Sequence, residues 1–152
     1  MRGFILCFCA YFGIMAARDK YHDVVRHALE EDGWIITHDP YTIEYGGTGY
    51  QIDLGAEKML AAERNGQKIA VEVKSFVDPS PITSFHHALG QYLNYLFALR
   101  QQEPERILYL AVPLFAYKET FSKPIVQLTL QEIDLKLVVF DLASETIHLW
   151  KS

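Results

Sequence analysis

Cysteine is nearly absent from this 152-residue chain. Its two cysteines, Cys7 and Cys9, both lie within the first 14 residues, MRGFILCFCAYFGI, and no other segment contains one. Two cysteines so close together at one end neither staple a core nor complete a zinc-binding pattern. The sequence therefore excludes a disulfide-stabilised scaffold and a cysteine-based metal site, and a cysteine-free domain is typical of a cytoplasmic protein.

Long apolar runs are missing as well. Residues 1–14 are almost wholly apolar, but the stretch is too short for a helix to span a bilayer, so no membrane association is expected. We interpret residues 1–14 as an extension ahead of a start at Met15, and a signal peptide with small residues at Ala16 and Ala17 is the alternative. Residues 15–152 then form a single domain, long enough to bury a sizeable core.

Basic residues are few. The chain has 14 lysines and arginines against 19 aspartates and glutamates, which gives a formal net charge of −5. An acidic protein does not hold nucleic acid by charge alone, so any contact with DNA has to be local. The candidate basic residues are Lys58, Arg64, Lys68 and Lys74. This sparse basic surface favours a function that needs a partner.

The most informative stretch is residues 51–76, QIDLGAEKMLAAERNGQKIAVEVKSF. In KIAVEVKSF the apolar residues alternate with Glu72 and Lys74, so a strand places both charges on the same face. Burying either charge is costly unless it is paired or bound to a metal. The dipeptide Asn65-Gly66 predicts a type I′ hairpin that folds the MLAAER segment back on this strand, which brings Asp53 near Glu72.

Two carboxylates and a lysine at one end of a sheet suit the hydrolysis of phosphodiesters. Asp53 and Glu72 offer hard oxygen ligands of the kind that Mg²⁺ or Mn²⁺ prefers. Lys74 can orient or deprotonate a water on such an ion and stabilise charge in the transition state. A solvated Glu-x-Lys face on a surface strand is the alternative, and the triplet alone does not distinguish the two.

The rest of the sequence alternates helical and strand patterns. Amphipathic spacing predicts a helix over residues 18–32 that stops at Gly33, and another over residues 81–102 that begins after Ser80 as N-cap. The other predicted elements are a strand through Thr37 with a turn or edge strand after it, a strand over 106–113, two short helices within 117–133 and a strand pair at 137–141 and 146–150. This alternation predicts an α/β fold, with a central mixed sheet of about five strands flanked by helices.

Asp53, followed after 18 residues by Glu-x-Lys, resembles the signature of the PD-(D/E)XK superfamily of restriction-endonuclease-like folds. Ile52 stands where that superfamily often has proline. The pair Gln91 and Tyr95, one helical turn apart, resembles the Gln-x-x-x-Tyr motif of RecB-like nucleases, where it packs beside the metal site. A glutamine at a helix boundary and a tyrosine in the core is the alternative.

A further candidate ligand comes from the first helix. In resolvase-like relatives of this superfamily an acidic residue on that helix helps to hold the metal, and the matching position here is His22. The resemblance thus implies a metal set of Asp53, Glu72 and His22, and a histidine in the core or facing solvent is the alternative.

Six segments from Met15 onwards carry a family resemblance: ARDKYHDVV, GYQIDLGAEK, AVEVKSF, GQYLNYLFAL, VVFD and IHLW. With these segments the chain resembles the XisH family, named as a controlling factor for excision of the fdxN element. The resemblance implies a restriction-endonuclease-like core, a role in site-specific DNA excision, and an XisI-like companion protein acting beside a separate recombinase.

Three functions remain open at this stage. The first is a Mg²⁺-dependent or Mn²⁺-dependent endonuclease with Asp53, Glu72, Lys74, Gln91 and Tyr95 in its catalytic site. The second is a non-catalytic accessory that binds DNA, the recombinase or the companion protein. The third is a nuclease toxin restrained by a small partner. Assembly into a homo-oligomer is possible with any of them.

Overall fold

The computed structural model describes residues 20–58 and 66–152 of the chain, with the backbone alone for residues 56–58. The elements in chain order are α1 (His22–Glu31), β1 (Ile35–His38), β2 (Tyr41–Tyr45), β3 (Thr48–Ile52), β4 (Leu54–Lys58), β5 (Gln67–Val73), α2 (Pro81–Gln102), β6 (Ile107–Pro113), α3 (Leu114–Glu119), α4 (Pro124–Ile133), β7 (Leu137–Asp141) and β8 (Thr146–Lys151). The predicted α/β class is confirmed.

A central mixed sheet organises these elements. It contains six strands in the order β1-β4-β5-β6-β7-β8, where about five were expected, and β2 and β3 form a separate two-stranded sheet. The three middle strands β5, β6 and β7 are parallel, whereas β1, β4 and β8 pair antiparallel with their neighbours. Because parallel strands are usually covered on both faces, the middle of the sheet is the deepest part of the core.

Each face of the sheet packs against its own helices. On β5 the side chains of Ile69, Val71 and Val73 join the cluster that includes Val25 and Leu29 of α1. The intervening Ala70 joins the opposite cluster, which includes Phe85, Tyr92 and Leu99 of α2. This alternation places Glu72 on the α2 side, one pleat beyond Ala70.

Helix α2 matches its predicted bounds, whereas α1 has the predicted apolar face but begins at His22 and not at residue 18. In α1, Val25, Ala28 and Leu29 are buried as the apolar spacing requires, and Gly33 ends the helix with a φ of 92°. Helix α2 covers the predicted residues 81–102, and Ser80 is its N-cap residue. The Ser80 hydroxyl, however, pairs with the Thr83 hydroxyl at 2.8 Å and makes no capping bond to the helix backbone.

The predicted hairpin at Asn65-Gly66 is wrong. Strand β4 pairs antiparallel with β5 so that Lys58 lies opposite Gln67, which leaves residues 59–66 as the connection. The segment that pairs with β5 is therefore LGAEK, at 54–58, and the MLAAER segment, at 59–64, lies outside the described residues. The type I′ turn lies instead at Gly46-Gly47, where φ is 58° and 83° between paired Tyr45 and Thr48.

A buried ion pair fastens the end of α2. Arg106, 5% exposed, donates from Nε to Glu103 Oε2 at 2.8 Å and from Nη1 to the Ile69 carbonyl at 2.9 Å. The Tyr41 hydroxyl donates to the same Glu103 carboxylate, and the Arg106 guanidinium lies 4.5 Å from the Tyr41 ring centroid. These contacts tie α2 to both the hairpin and the start of β5, and the Arg106 hydrogen bonds lower the pKa of Glu103 to about 2.

Two predictions concern the N-terminal extension and the membrane. The extension at residues 1–14 lies outside the described residues, so its boundary remains a prediction. Across residues 20–58 and 66–152, no helix combines the length and the hydropathy needed to cross a bilayer.

Candidate active site

Asp53 occupies the one-residue break between β3 and β4, directly beside the carboxyl end of β5. The β4–β5 register pairs Leu54 with Val71, which places Asp53 alongside Glu72 as the ladder ends. The Asp53 side chain continues the ladder, because its Oδ2 accepts the Val73 N–H at 2.8 Å. A buried N–H needs an acceptor, and here the carboxylate replaces the backbone carbonyl of a further strand residue. Asp53 is therefore held rigidly next to Glu72.

Glu72 is a buried carboxylate with one unsatisfied oxygen. The residue is only 5% exposed, and its Oε2 has no hydrogen-bond partner among the described residues. Burial raises the pKa of Glu72 to about 8, the nearby charge of Asp53 adds to the rise, and Lys74 opposes it. Near neutral pH the folded protein thus holds a proton on Glu72 unless a cation compensates the charge.

Lys74 lies where strand alternation predicted it, on the same face as Glu72. Its Nζ is 3.4 Å from Glu72 Oε1, and its backbone N–H donates to the Ala111 carbonyl at 3.0 Å, so β6 fixes the start of the side chain. The lysine also borders an open cavity of about 570 Å³ at the start of α2. A substrate in this cavity would meet the ammonium group directly.

His22 connects Asp53 to a second acidic residue that sequence reasoning missed. The imidazole is 2% exposed, with Nε2 2.8 Å from Asp39 Oδ1 and Nδ1 3.8 Å from Asp53 Oδ1. Asp39 also accepts from Arg26 Nη1 at 2.6 Å. The sequence predicts only a turn or edge strand after Thr37, with no site residue in it. The available signal was that His22 and Arg26 are four residues apart on one helix face and therefore share a partner.

Of the predicted pair Gln91 and Tyr95, Tyr95 is the one that lies near the cluster formed by Asp53, Glu72, Lys74 and His22. Tyr95 is 7% exposed, and its pKa is raised first by burial and then by the charges of Glu72 and Asp53. Its ring packs edge-on against Tyr50 with centroids 5.6 Å apart. Gln91, one turn earlier on α2, is exposed and forms no hydrogen bond to Asp53 or Glu72 within the described residues. A supporting role for Gln91 stays a prediction.

The residues present fit a divalent cation held by two carboxylates. Asp53 and Glu72 are adjacent, and the unsatisfied Oε2 of Glu72 is an oxygen that a cation would satisfy. In residues 20–58 and 66–152, no group of three or more His, Cys, Asp or Glu side chains could hold a metal ion. Mg²⁺ commonly uses one or two carboxylates and completes its shell with water and phosphate oxygens. His22 as a third ligand remains a prediction, since its nitrogens face Asp39 and Asp53.

The chain matches the family model described as XisH protein over residues 15–148. It is similar to the crystal structure of an XisH family protein from Nostoc punctiforme PCC 73102, with 47% identity over 88% of this chain and 100% of that chain, and a TM-score of 0.79. It is also similar to the crystal structure of a fdxN element excision controlling factor protein from Anabaena variabilis, with 48% identity over 89% of this chain and 100% of that chain, and a TM-score of 0.79. Among curated proteins, no match is found.

Proposed function

This chain belongs to the XisH family, and from that premise we propose that it is a controlling factor for excision of a DNA element and that it acts by hydrolysing DNA phosphodiesters. The similar protein from Anabaena variabilis is named a fdxN element excision controlling factor. Hydrolysis goes beyond that name and rests on the side chains of this chain.

The buried carboxylate of Glu72 is the observation that carries the proposal. Leaving a buried acceptor unsatisfied beside a second carboxylate costs stability, and a purely structural residue gains nothing from it. If Glu72 had only a structural role, a hydrophobic side chain would suit its position between Val71 and Val73 better. Asp53 and Glu72 would hold a divalent cation, whose charge would offset their mutual repulsion and give the unsatisfied Oε2 of Glu72 a partner.

Each residue of the cluster then has a separate task. Asp53 and Glu72 would hold Mg²⁺ or Mn²⁺, which when bound supplies Lewis acidity toward water and phosphate oxygens. Lys74 would stabilise negative charge that develops on the phosphate, since this residue lines the open cavity. His22, with Nδ1 3.8 Å from Asp53 Oδ1, helps to position Asp53, and Tyr95 packs against Tyr50 within the electrostatic field of both carboxylates.

The test is metal-dependent nicking of duplex, single-stranded and branched DNA by the purified protein, with and without an XisI-like companion. Wild type should cleave at least one of these substrates in Mg²⁺ or Mn²⁺. Lys74→Ala should lose cleavage and keep the cation, because the lysine acts on charge in the transition state. Glu72→Ala should lose both cleavage and the cation.

Lys136→Ala is a matched control, because Lys136 and Lys74 side chains are both 27% exposed and Lys136 pairs with Asp134 outside the cluster. This variant should cleave like wild type. If wild type and Lys74→Ala are equally inert with every metal and substrate while both support excision in cells, hydrolysis is refuted.

A non-catalytic accessory is the second candidate, and the charge of the protein favours it. The formal net charge is −5, and Arg26 and Arg106 are already paired with carboxylates of the same chain. Such a surface suits binding to a recombinase or a companion protein better than unaided binding to DNA. Metal-dependent cleavage of DNA by the isolated chain, lost in Lys74→Ala, would count against this second candidate.

A further inference from the structure

A groove separates the β2–β3 hairpin from the C-terminal half of α2. Its volume is about 380 Å³, which lies within the usual range of small-molecule sites, about 300–1,000 Å³. The residues that line it are Tyr45, Thr48, Tyr50, Asn94, Phe97, Ala98 and Gln101. Tyr45 and Phe97 are 58% and 54% exposed, so the groove presents two large rings to solvent. Rings this exposed contribute little to the core and call for another explanation.

Both walls of the groove are firmly built. On α2 the lining residues Asn94, Phe97 and Gln101 are spaced so that they share one face of the helix. On the hairpin, Tyr45 precedes the two-residue turn, and Ile43 below it is buried at 1% exposure in the core shared with α2. The groove therefore exists before any ligand arrives, which lowers the entropic cost of binding.

The chemistry of the lining is aromatic and amide, with no charged side chain. Tyr45, Tyr50 and Phe97 supply ring surfaces, while Asn94 and Gln101 supply amide groups that both donate and accept hydrogen bonds. Neither amide makes a hydrogen bond within the described residues. Flat, uncharged ligands with a mixed donor and acceptor edge suit this lining, whereas a phosphate would need a basic group.

We propose that this groove binds one unstacked nucleobase of single-stranded DNA. The choice of DNA as the ligand rests on the proposed function. A base inside a duplex is stacked on its neighbours and has its pairing edge occupied, so only an unpaired base offers both its faces and its edge. The groove thus selects single-stranded or branched DNA over uninterrupted duplex.

The position of the groove relates it to the carboxylate pair. Tyr50 forms one wall, and its ring packs against Tyr95 with centroids 5.6 Å apart. Tyr95 in turn lies in the electrostatic field of Glu72 and Asp53. A base held against Tyr50 is therefore separated from the carboxylates by the rings of Tyr50 and Tyr95.

The experiment measures binding of a short oligothymidine strand, carrying one fluorescent purine analogue, to the full chain in EDTA. Stacking in the groove should quench the analogue. Phe97→Ala and Tyr45→Ala should each weaken affinity about ten-fold, the typical effect of removing one stacking ring. Phe115→Ala is the matched control, since Phe115 is 39% exposed and lines a different pocket. The control should bind like wild type, and an unlabelled duplex should compete poorly.

Equal affinity of wild type, Phe97→Ala and Tyr45→Ala for the strand would overturn the inference, and so would failure of wild type to bind any single strand. Sedimentation that shows a wild-type dimer dissociated by Phe97→Ala, with strand binding unchanged, would reassign the groove to a second copy of the chain. Because EDTA prevents cleavage, loss of affinity in the groove variants supports the groove even where wild type proves unable to hydrolyse DNA. Conversely, metal-dependent nicking with unaltered binding by these variants leaves the proposed function intact and refutes the groove alone.

Discussion

Glu72→Gln should stabilise the metal-free protein, and the gain should grow with pH. The pKa of Glu72 is about 8 in the folded state against an ordinary value of 4.5. Between these two values the folded protein binds a proton that the unfolded chain has released, so stability falls as pH rises through this window. Glutamine has the same shape and no charge, and therefore removes this dependence.

The size of the effect follows from the burial of the group. Each unit of pKa difference corresponds to about 1.36 kcal/mol, and the Glu72 side chain is only 6% exposed, so solvent screens little of it. We expect Glu72→Gln to gain less than about 1 kcal/mol near pH 5 and on the order of 4 kcal/mol near pH 8. Urea unfolding in EDTA across this pH range measures both values.

Glu132→Gln provides the control, because Glu132 is an exposed glutamate on α4. The free energy of unfolding of Glu132→Gln should equal that of wild type at every pH. A constant difference between Glu72→Gln and wild type from pH 5 to pH 8 would refute a raised pKa at Glu72 and remove the main physical reason for a cation there. With Mn²⁺ added, wild type should gain stability and Glu72→Gln should not, since binding to the folded state alone is stabilising.

Three further predictions concern the surroundings of the site. Glu103→Gln should lower stability at neutral pH by about 3 kcal/mol, because Arg106 is left buried with a weaker partner. In wild type the pKa of Glu103 is about 2 against an ordinary value of 4.5, so the carboxylate stabilises the fold above pH 4.5 and this stability is lost as pH falls toward 2. Acid unfolding of wild type and variant measures this loss. Gly46→Ala should cost about 1 kcal/mol in thermal or urea unfolding, because φ there is +58°, whereas Gly49→Ala, with equally open space and no positive φ, should cost less. His22→Ala should weaken Mn²⁺ binding about ten-fold in calorimetric titration, because the ring orients Asp53; unchanged affinity would assign the histidine to the core alone.

The sequence predicted best those elements whose pattern is local. The apolar stripe of α2 and the position of Pro81 gave its start and end at residues 81 and 102, as observed. Alternation in β5 likewise placed Glu72 and Lys74 on one face, where their side chains are 3.4 Å apart. In both cases the spacing of hydrophobic residues along the chain decides the structure, and in α2 Pro81 also marks the first residue of the helix.

Features that depend on distant pairing were missed. The turn at Asn65-Gly66 was predicted from a dipeptide, but the register of β4 against β5 is set by burial of Leu54 and Val71, and the pairing ends at Lys58 and Gln67. The sequence does not predict Asp39 as a site residue, because its partners His22 and Arg26 lie on α1, a separate element. A local pattern contains no information about which helix face will meet a turn.

The bond between Asp53 and the Val73 N–H has a spectroscopic consequence. The carboxylate that would ligate a cation is the same group that accepts the last amide proton of β5, at 2.8 Å. Any change in charge or geometry at Asp53 must alter the shielding of that one proton and its exchange with solvent. The Val73 amide is therefore an intrinsic reporter of site occupancy, visible by nuclear magnetic resonance in the unmodified protein without an activity assay.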